Sequence, residues 1–64
     1  MLDDHIYNLM SQLVEESQSI WRIKNKYKPD AVGCSECLEF WEELEEDKAE
    51  HIEDLTKLLK KHLK

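Results

Sequence analysis

The amino-acid sequence predicts an all-α protein: an antiparallel two-helix hairpin that pairs with a second copy to form a four-helix bundle. Three observations lead to this prediction. The 64-residue chain is rich in Glu, Lys and Leu. Its only strong helix breakers, Pro29 and Gly33, lie close together near the middle. On both sides of them, apolar residues recur in steps of three and four, and the period of two that marks strands is absent from the sequence.

The first predicted helix covers residues 2–28, and one apolar stripe runs along it. The stripe is interrupted at Glu16, where the same rhythm would place an apolar residue. Its apolar members are Leu2, Ile6, Leu9, Leu13, Ile20, Ile23 and Tyr27. This spacing is typical of helices that pack side by side, so we expect the stripe to face the second helix.

A turn over residues 29–34 separates this helix from the second, which is predicted over residues 35–63. Ser35 is a suitable N-cap for the second helix, and Glu36 places an acid in its first turn. The second stripe consists of Cys37, Trp41, Leu44, Lys48, His51, Leu55, Leu58 and His62. Residues 1–64 therefore form a single hairpin domain in this prediction.

A second set of apolar residues flanks each stripe and predicts a homodimer or a higher homo-oligomer. The predicted interface residues are Tyr7, Met10, Val14 and Trp21 in the first helix and Leu38, Ile52 and Leu59 in the second. In a lone hairpin they would leave a large apolar patch in water, which soluble monomers usually avoid. A chain below about 70–80 residues also obtains little stability from its own core. Trp21 is the expected interface anchor.

Charge and hydropathy exclude several classes of partner. The net charge of −6 disfavours nucleic acid, whose phosphates attract basic surfaces. No apolar run approaches the about 18 residues that a membrane span requires, and no apolar signal segment opens the sequence. We therefore expect a cytoplasmic protein that binds neither nucleic acid nor membranes.

Three polar residues, Glu16, Lys48 and His51, fall within the apolar stripes. A turn centred near residue 32 places Glu16 level with Lys48, and His51 follows Lys48 by one helical turn. A buried charge without a partner is very costly, so the simplest interpretation is a buried polar layer that fixes the register of the helices. Two alternatives are a metal site formed by Glu16 and His51 and acid–base catalysis by the cluster.

The segment FWEELEEDKAEHIEDLTKLL, residues 40–59, resembles the second helix of a rubrerythrin-type hairpin in the ferritin-like superfamily. The resemblance implies a ferritin-like four-helix bundle and, in the family, a di-iron centre that performs redox and peroxide chemistry. Glu16 matches the ligand of the first helix and His51 the ligand histidine of the second. The position three residues before His51 is a bridging Glu in the family and is Lys48 here. The resemblance thus supports the fold more strongly than the metal centre.

Cys34 and Cys37 form a CxxC motif at the predicted turn, and this spacing suits three kinds of chemistry. The pair would serve as free structural thiols, as a redox-active dithiol at a helix N-terminus, or as two of the four thiolates of a zinc site. The zinc site would require two chains meeting tip to tip, an arrangement that resembles the zinc hook, although the usual Pro between the cysteines is absent. The sequence contains no second CxxC.

Two functions follow from these patterns. The first is a small, non-enzymatic, oligomerising helical module without a cofactor, in which Glu16, Lys48 and His51 form the register-fixing layer. The alternative is a metal-binding or redox protein. In that case iron or zinc would bind at Glu16 and His51 or at Cys34 and Cys37, or the two thiols would exchange with a disulfide.

Overall fold

A computed structural model describes residues 4–63 and shows a helical hairpin. Its elements are α1 (Asp4–Arg22), a π-helical turn (Ile23–Tyr27), a short α2 (Lys28–Asp30) and α3 (Ser35–His62). The hairpin measures 48 × 17 × 12 Å, and α1 packs along α3. No strand occurs between residues 4 and 63, so the all-α hairpin is confirmed. Leu2, the start of the predicted first helix and the last residue of the domain lie outside the described residues.

Helical structure continues past the predicted end at residue 28 and includes Pro29. Proline has no backbone N–H, and its ring crowds the carbonyl four residues earlier in an α-helix. The backbone widens immediately before this position, where the Lys28 N–H bonds to the Ile23 carbonyl five residues back. The Asn25 side chain also donates to the Trp21 carbonyl at 2.9 Å. We attribute the wide turn to Pro29, because widening relieves the crowding without ending the helix.

The chain reverses over residues 31–34, a shorter turn than predicted. The Ala31 N–H donates to the Tyr27 and Lys28 carbonyls, and the Cys34 N–H donates to the Ala31 carbonyl at 2.9 Å. Gly33 has φ of +99°, a conformation that L side chains rarely adopt. The N-cap of α3 is Cys34 rather than the predicted Ser35, because Cys34 has extended backbone angles and its Sγ accepts the Cys37 N–H.

The hairpin core is narrow. Among residues 4–63, the only buried side chains are Ile23, Leu59 and the polar Glu16. The other described apolar members of the predicted stripes are half-buried, except for those corrected below; Tyr27 and Trp41 stack with ring centroids 4.7 Å apart. So small a core gives the isolated hairpin modest stability.

The face of α3 that meets α1 differs in part from the prediction. Leu59, expected on the outer flank, is 8% exposed, whereas Leu58, expected in the core, is 42% exposed. Cys37, His51 and His62 are also exposed. Successive residues of an α-helix point about 100° apart, so a small difference in register exchanges neighbouring positions between core and surface. Leu59 is therefore part of the hairpin core and not of an outer interface.

Ion pairs connect the C-terminal part of the first helical segment to α3. Lys28 Nζ lies 2.8 Å from Glu45 Oε1, and Lys24 Nζ lies 3.7 Å from Glu45 Oε2. The Lys28 ammonium lowers the pKa of the Glu45 carboxyl despite its partial burial, and the same contact raises the pKa of Lys28. The opposite signs across the hairpin agree with an antiparallel arrangement. No helix within residues 4–63 is long and apolar enough to cross a membrane.

Candidate functional site

The structure brings Glu16, Lys48 and His51 together, as the register of the hairpin predicts. Lys48 Nζ lies 3.5 Å from Glu16 Oε1 and 3.4 Å from Oε2, and His51 Nδ1 lies 3.3 Å from Oε2. Gln12, one turn before Glu16 on α1, donates to Oε1 at 3.0 Å. Three side chains from two helices thus compensate one buried carboxylate.

Burial differs sharply among these residues. The Glu16 side chain is 9% exposed and that of Lys48 is 20% exposed, but that of His51 is 59% exposed. The prediction of a fully buried layer is therefore wrong for His51, whose ring contacts the carboxylate but remains largely exposed. The buried part of the cluster is an ion pair between α1 and α3.

The electrostatic balance at Glu16 favours the ionised carboxylate. Burial alone raises the pKa of Glu16, because a charge is poorly solvated inside the hairpin. Hydrogen bonds from His51 and Gln12 and the positive charge of Lys48 outweigh burial, so the pKa of Glu16 lies below its ordinary value. Glu16 is therefore ionised at neutral pH, and its carboxylate is already engaged by Lys48, Gln12 and His51.

The residues at this cluster do not fit a di-iron centre. Such a centre needs several carboxylates, and here the carboxylate of Glu16 already contacts the Lys48 ammonium at 3.4 Å. An ammonium at the position of the bridging carboxylate would repel a metal cation. Among residues 4–63, no group of three or more His, Cys, Asp or Glu side chains is arranged to hold a metal ion.

Cys34 and Cys37 are free and exposed, and their thiols meet at the start of α3. The two sulfurs lie 2.8 Å apart, within hydrogen-bonding distance, and the Cys37 N–H donates to Cys34 Sγ at 3.4 Å. A shallow depression beside them is lined by Tyr27, Asp30, Ala31 and Trp41. The predicted pair is therefore close in space, and solvent reaches both sulfurs.

The surroundings make the two thiols chemically different. Hydrogen bonds from the Cys37 thiol and from the backbone N–H groups of Cys37 and Glu36 lower the pKa of Cys34. The same thiol–thiol bond, together with partial burial and the charge on Cys34, raises the pKa of Cys37. Of the two thiols, Cys34 therefore ionises more readily and Cys37 less readily.

A stripe of exposed apolar residues runs along the outer face of α1. Tyr7, Met10, Val14 and Trp21 are 59%, 37%, 53% and 56% exposed. They occupy the positions of a heptad repeat, with Ser17 filling the remaining place. The first three, with Ser11 and Glu15, form a shallow groove. We call Tyr7, Met10, Val14 and Trp21 the α1 stripe.

The predicted interface residues of α3 form a less regular surface. Leu38 and Ile52 are half-buried, and Leu59 belongs to the core. The large exposed apolar residues of α3 are Phe40 and Leu58, and Leu63, directly after the helix, is exposed as well. The α1 stripe is thus the longer and more continuous of the two apolar surfaces.

Sequence reasoning missed two polar residues that the structure shows to matter. Gln12 lies four residues before Glu16, a spacing that places both on one helix face and that would have identified the pair. Glu45, one of several acids along α3, pairs with both Lys24 and Lys28 across the hairpin. No sequence signal separates Glu45 from the other acids of α3.

At the open end of the hairpin, the rings of His5 and His62 meet edge to face, with their centroids 4.9 Å apart.

Comparison with family models, with curated proteins and with solved structures found no match to this chain.

Proposed function

We propose that this chain is a non-enzymatic assembly module, which forms a homodimeric four-helix bundle through the α1 stripe. The observation that supports the proposal is the heptad spacing of four exposed apolar side chains on a single helix face. Such a stripe is the usual contact surface of a helix that packs against another helix.

A second copy of this chain is the partner that the charges of α1 favour. Asp4 lies at the N-terminal end of α1, and Arg22, Lys24 and Lys26 lie at or just beyond its C-terminal end. When two α1 helices pack antiparallel about a two-fold axis near Val14, each acidic end meets a basic end. The same axis brings the Tyr7 end of one stripe to the Trp21 end of the other. The charges at the two ends of α1 are therefore complementary to those of a second, antiparallel copy.

The narrow core supplies the thermodynamic reason for assembly. With two buried apolar residues among residues 4–63, the hairpin has little interior of its own. Burying apolar surface stabilises by about 25 cal/mol per Å², so covering the aromatic and aliphatic side chains of two stripes adds a second core. The Glu16–Lys48 ion pair then serves to fix which residues of α1 and α3 face each other.

In this proposal the likeness to the rubrerythrin-type hairpin concerns architecture alone. The bundle would share the ferritin-like arrangement of helices, while Lys48 supplies the positive charge that a metal ion supplies in the family.

Sedimentation equilibrium over a range of protein concentrations tests the dimer directly. We expect a reversible monomer–dimer equilibrium and a melting temperature that rises with concentration. Val14→Lys places a charge in the centre of the stripe and should weaken dimerisation more than about tenfold. Because Val14 is 53% exposed, the substitution should leave the hairpin itself folded.

Val32→Lys is the matched control for this experiment. Val32 is 78% exposed at the turn, away from the α1 stripe, so the same change of side chain should leave dimerisation unaffected. A chain that remains a monomer up to its solubility limit would contradict the proposal. Equal weakening by the two lysine substitutions would show that the stripe is not the interface.

A further inference from the structure

We propose that Cys34 and Cys37 form a reversible dithiol–disulfide couple that exchanges with small disulfides, a function separate from assembly. The two sulfurs lie 2.8 Å apart, close enough for a local disulfide after a small movement, and both are exposed to solvent. Neither the dimer nor the hairpin core requires this chemistry.

Packing does not explain why cysteines occupy these positions. Cys37 was expected in the core stripe, but the structure leaves it exposed, and Cys34 is exposed as well. Cys34 does cap α3 through its sulfur, yet Ser, Asp and Asn are better N-caps than Cys. An exposed thiol pair without a packing role is better explained by the reactivity of sulfur.

A metal site is the weaker explanation of the pair. Two thiolates are half of a zinc site, and no other His, Cys, Asp or Glu joins them in a ligand group within residues 4–63. Two further ligands would have to come from the turn of a second copy of this chain. In the antiparallel dimer proposed above, the turns of the two copies lie at opposite ends of the bundle. The pair is therefore better suited to exchange electrons than to hold zinc.

The reaction has two balanced steps. The Cys34 thiolate attacks one sulfur of a small disulfide, RSSR, forming a mixed disulfide and releasing RS⁻. Cys37 then loses its proton and attacks Cys34 Sγ, forming the intramolecular disulfide and releasing a second RS⁻, so that two cysteine thiols are oxidised and RSSR is reduced to two RSH. The depression beside the pair, lined in part by Tyr27 and Trp41, leaves room for the disulfide to approach Cys34.

Incubation of the reduced protein with glutathione disulfide, in the presence of a metal chelator, tests the proposal. Mass spectrometry after trapping with a maleimide should show a chain that has lost two hydrogens and carries no label. In a Trp21→Phe background, the fluorescence of Trp41 should change in step with oxidation, because Trp41 lines the same depression. Reduction should reverse both signals.

Two serine variants separate the roles of the thiols. Cys37→Ser should stop at the mixed disulfide, since the resolving thiol is gone. Cys34→Ser should react about tenfold more slowly than Cys37→Ser, because the remaining thiol lacks the hydrogen bonds that stabilise a thiolate. Serine caps a helix well, so unchanged helicity by circular dichroism should accompany both results.

Several results would overturn the proposal. One is full labelling of both thiols even in the most oxidising glutathione buffer, and another is an equal reaction rate of the two serine variants. Disulfide-linked dimers as the main product would also contradict it. Without chelator, protection of both thiols by half an equivalent of zinc would assign the pair to a metal site instead. The oligomeric state, measured in both redox states, reports separately on the assembly proposal.

Discussion

Glu16 is a carboxylate in the interior of a narrow hairpin, and three neighbours make its burial tolerable. Gln12 approaches from its own helix, while Lys48 and His51 approach from α3. Removing one charge of such a pair leaves the other desolvated and uncompensated, which is more destabilising than replacing both by apolar groups. The pair therefore favours one alignment of the helices over alternatives that would separate the charges.

Reversing the charge at Lys48 should destabilise the hairpin. Lys48→Glu would bring two carboxylates together at a position where the present side chain is 20% exposed, and we expect a loss of about 2–3 kcal/mol in the free energy of unfolding. Urea denaturation measures this loss. Lys57→Glu, a charge reversal at an exposed site on the same helix, should change stability by less than about 0.5 kcal/mol. Equal stability of the two variants would place Glu16 outside any buried pair.

Acid should remove the contribution of Glu16 to stability. Its pKa in the folded hairpin lies below the value in the unfolded chain, about 4.3, so the folded state favours the ionised form. The contribution is complete above the unfolded pKa and is lost as the pH falls through the folded pKa. Thermal unfolding of the native protein and of Glu16→Gln should therefore differ near neutral pH and converge at acid pH. A constant difference over this range would contradict the assignment.

Two helix-breaking residues, Pro29 and Gly33, lie in the connection between the long helices, and they act differently. Pro29 does not end the helix, because the backbone before it widens into a π-helical turn. Gly33 does provide the reversal, with φ of +99°. The first helical segment thus extends to Asp30, and the turn is confined to residues 31–34.

Gly33→Ala should destabilise the hairpin by about 1–2 kcal/mol. A Cβ at this position would meet no atom within 4 Å, so the cost comes from the backbone conformation and not from a clash. Gly33→Asn is the matched variant, since asparagine tolerates positive φ better than alanine and should be less destabilising. Thermal unfolding of both variants measures the difference. If alanine were tolerated as well as asparagine, the turn would adopt another conformation in solution.

At the scale of the whole molecule, residues 4–63 form one internal contact surface and one long, continuous exposed apolar surface. The internal surface joins α1 to α3 over most of the 48 Å length. The exposed surface is the α1 stripe. An apolar patch of this regularity on so small a protein is typical of a binding surface. The charges at the two ends of α1 favour an antiparallel second copy as the proposed partner.

Cross-linking should reveal the orientation of the proposed dimer. In a Cys34→Ser, Cys37→Ser background, Val14→Cys places a thiol next to the two-fold axis and should form a disulfide-linked dimer under mild oxidation. Tyr7→Cys should not, because antiparallel helices separate the two copies of residue 7. Non-reducing gel electrophoresis distinguishes these outcomes. Efficient linkage at both positions would indicate parallel helices instead.

The sequence by itself determined those features that depend on the spacing and chemistry of neighbouring residues. Helix propensity and the recurrence of apolar residues every three or four positions indicate the two helices. The position of Pro29 and Gly33 indicates a hairpin in which Glu16 meets Lys48. These inferences succeed because they depend on spacing along the chain and on the high cost of burying a lone charge.

Tertiary structure decided which face of each helix is buried. Leu59 and Leu58, neighbours of similar hydrophobicity, differ in burial because the helix register places one toward α1 and the other toward solvent. The same packing exposes His51 and Cys37 and selects Glu45 from among several acids. Each depends on distances across the hairpin, and those are set by the packing of both helices together.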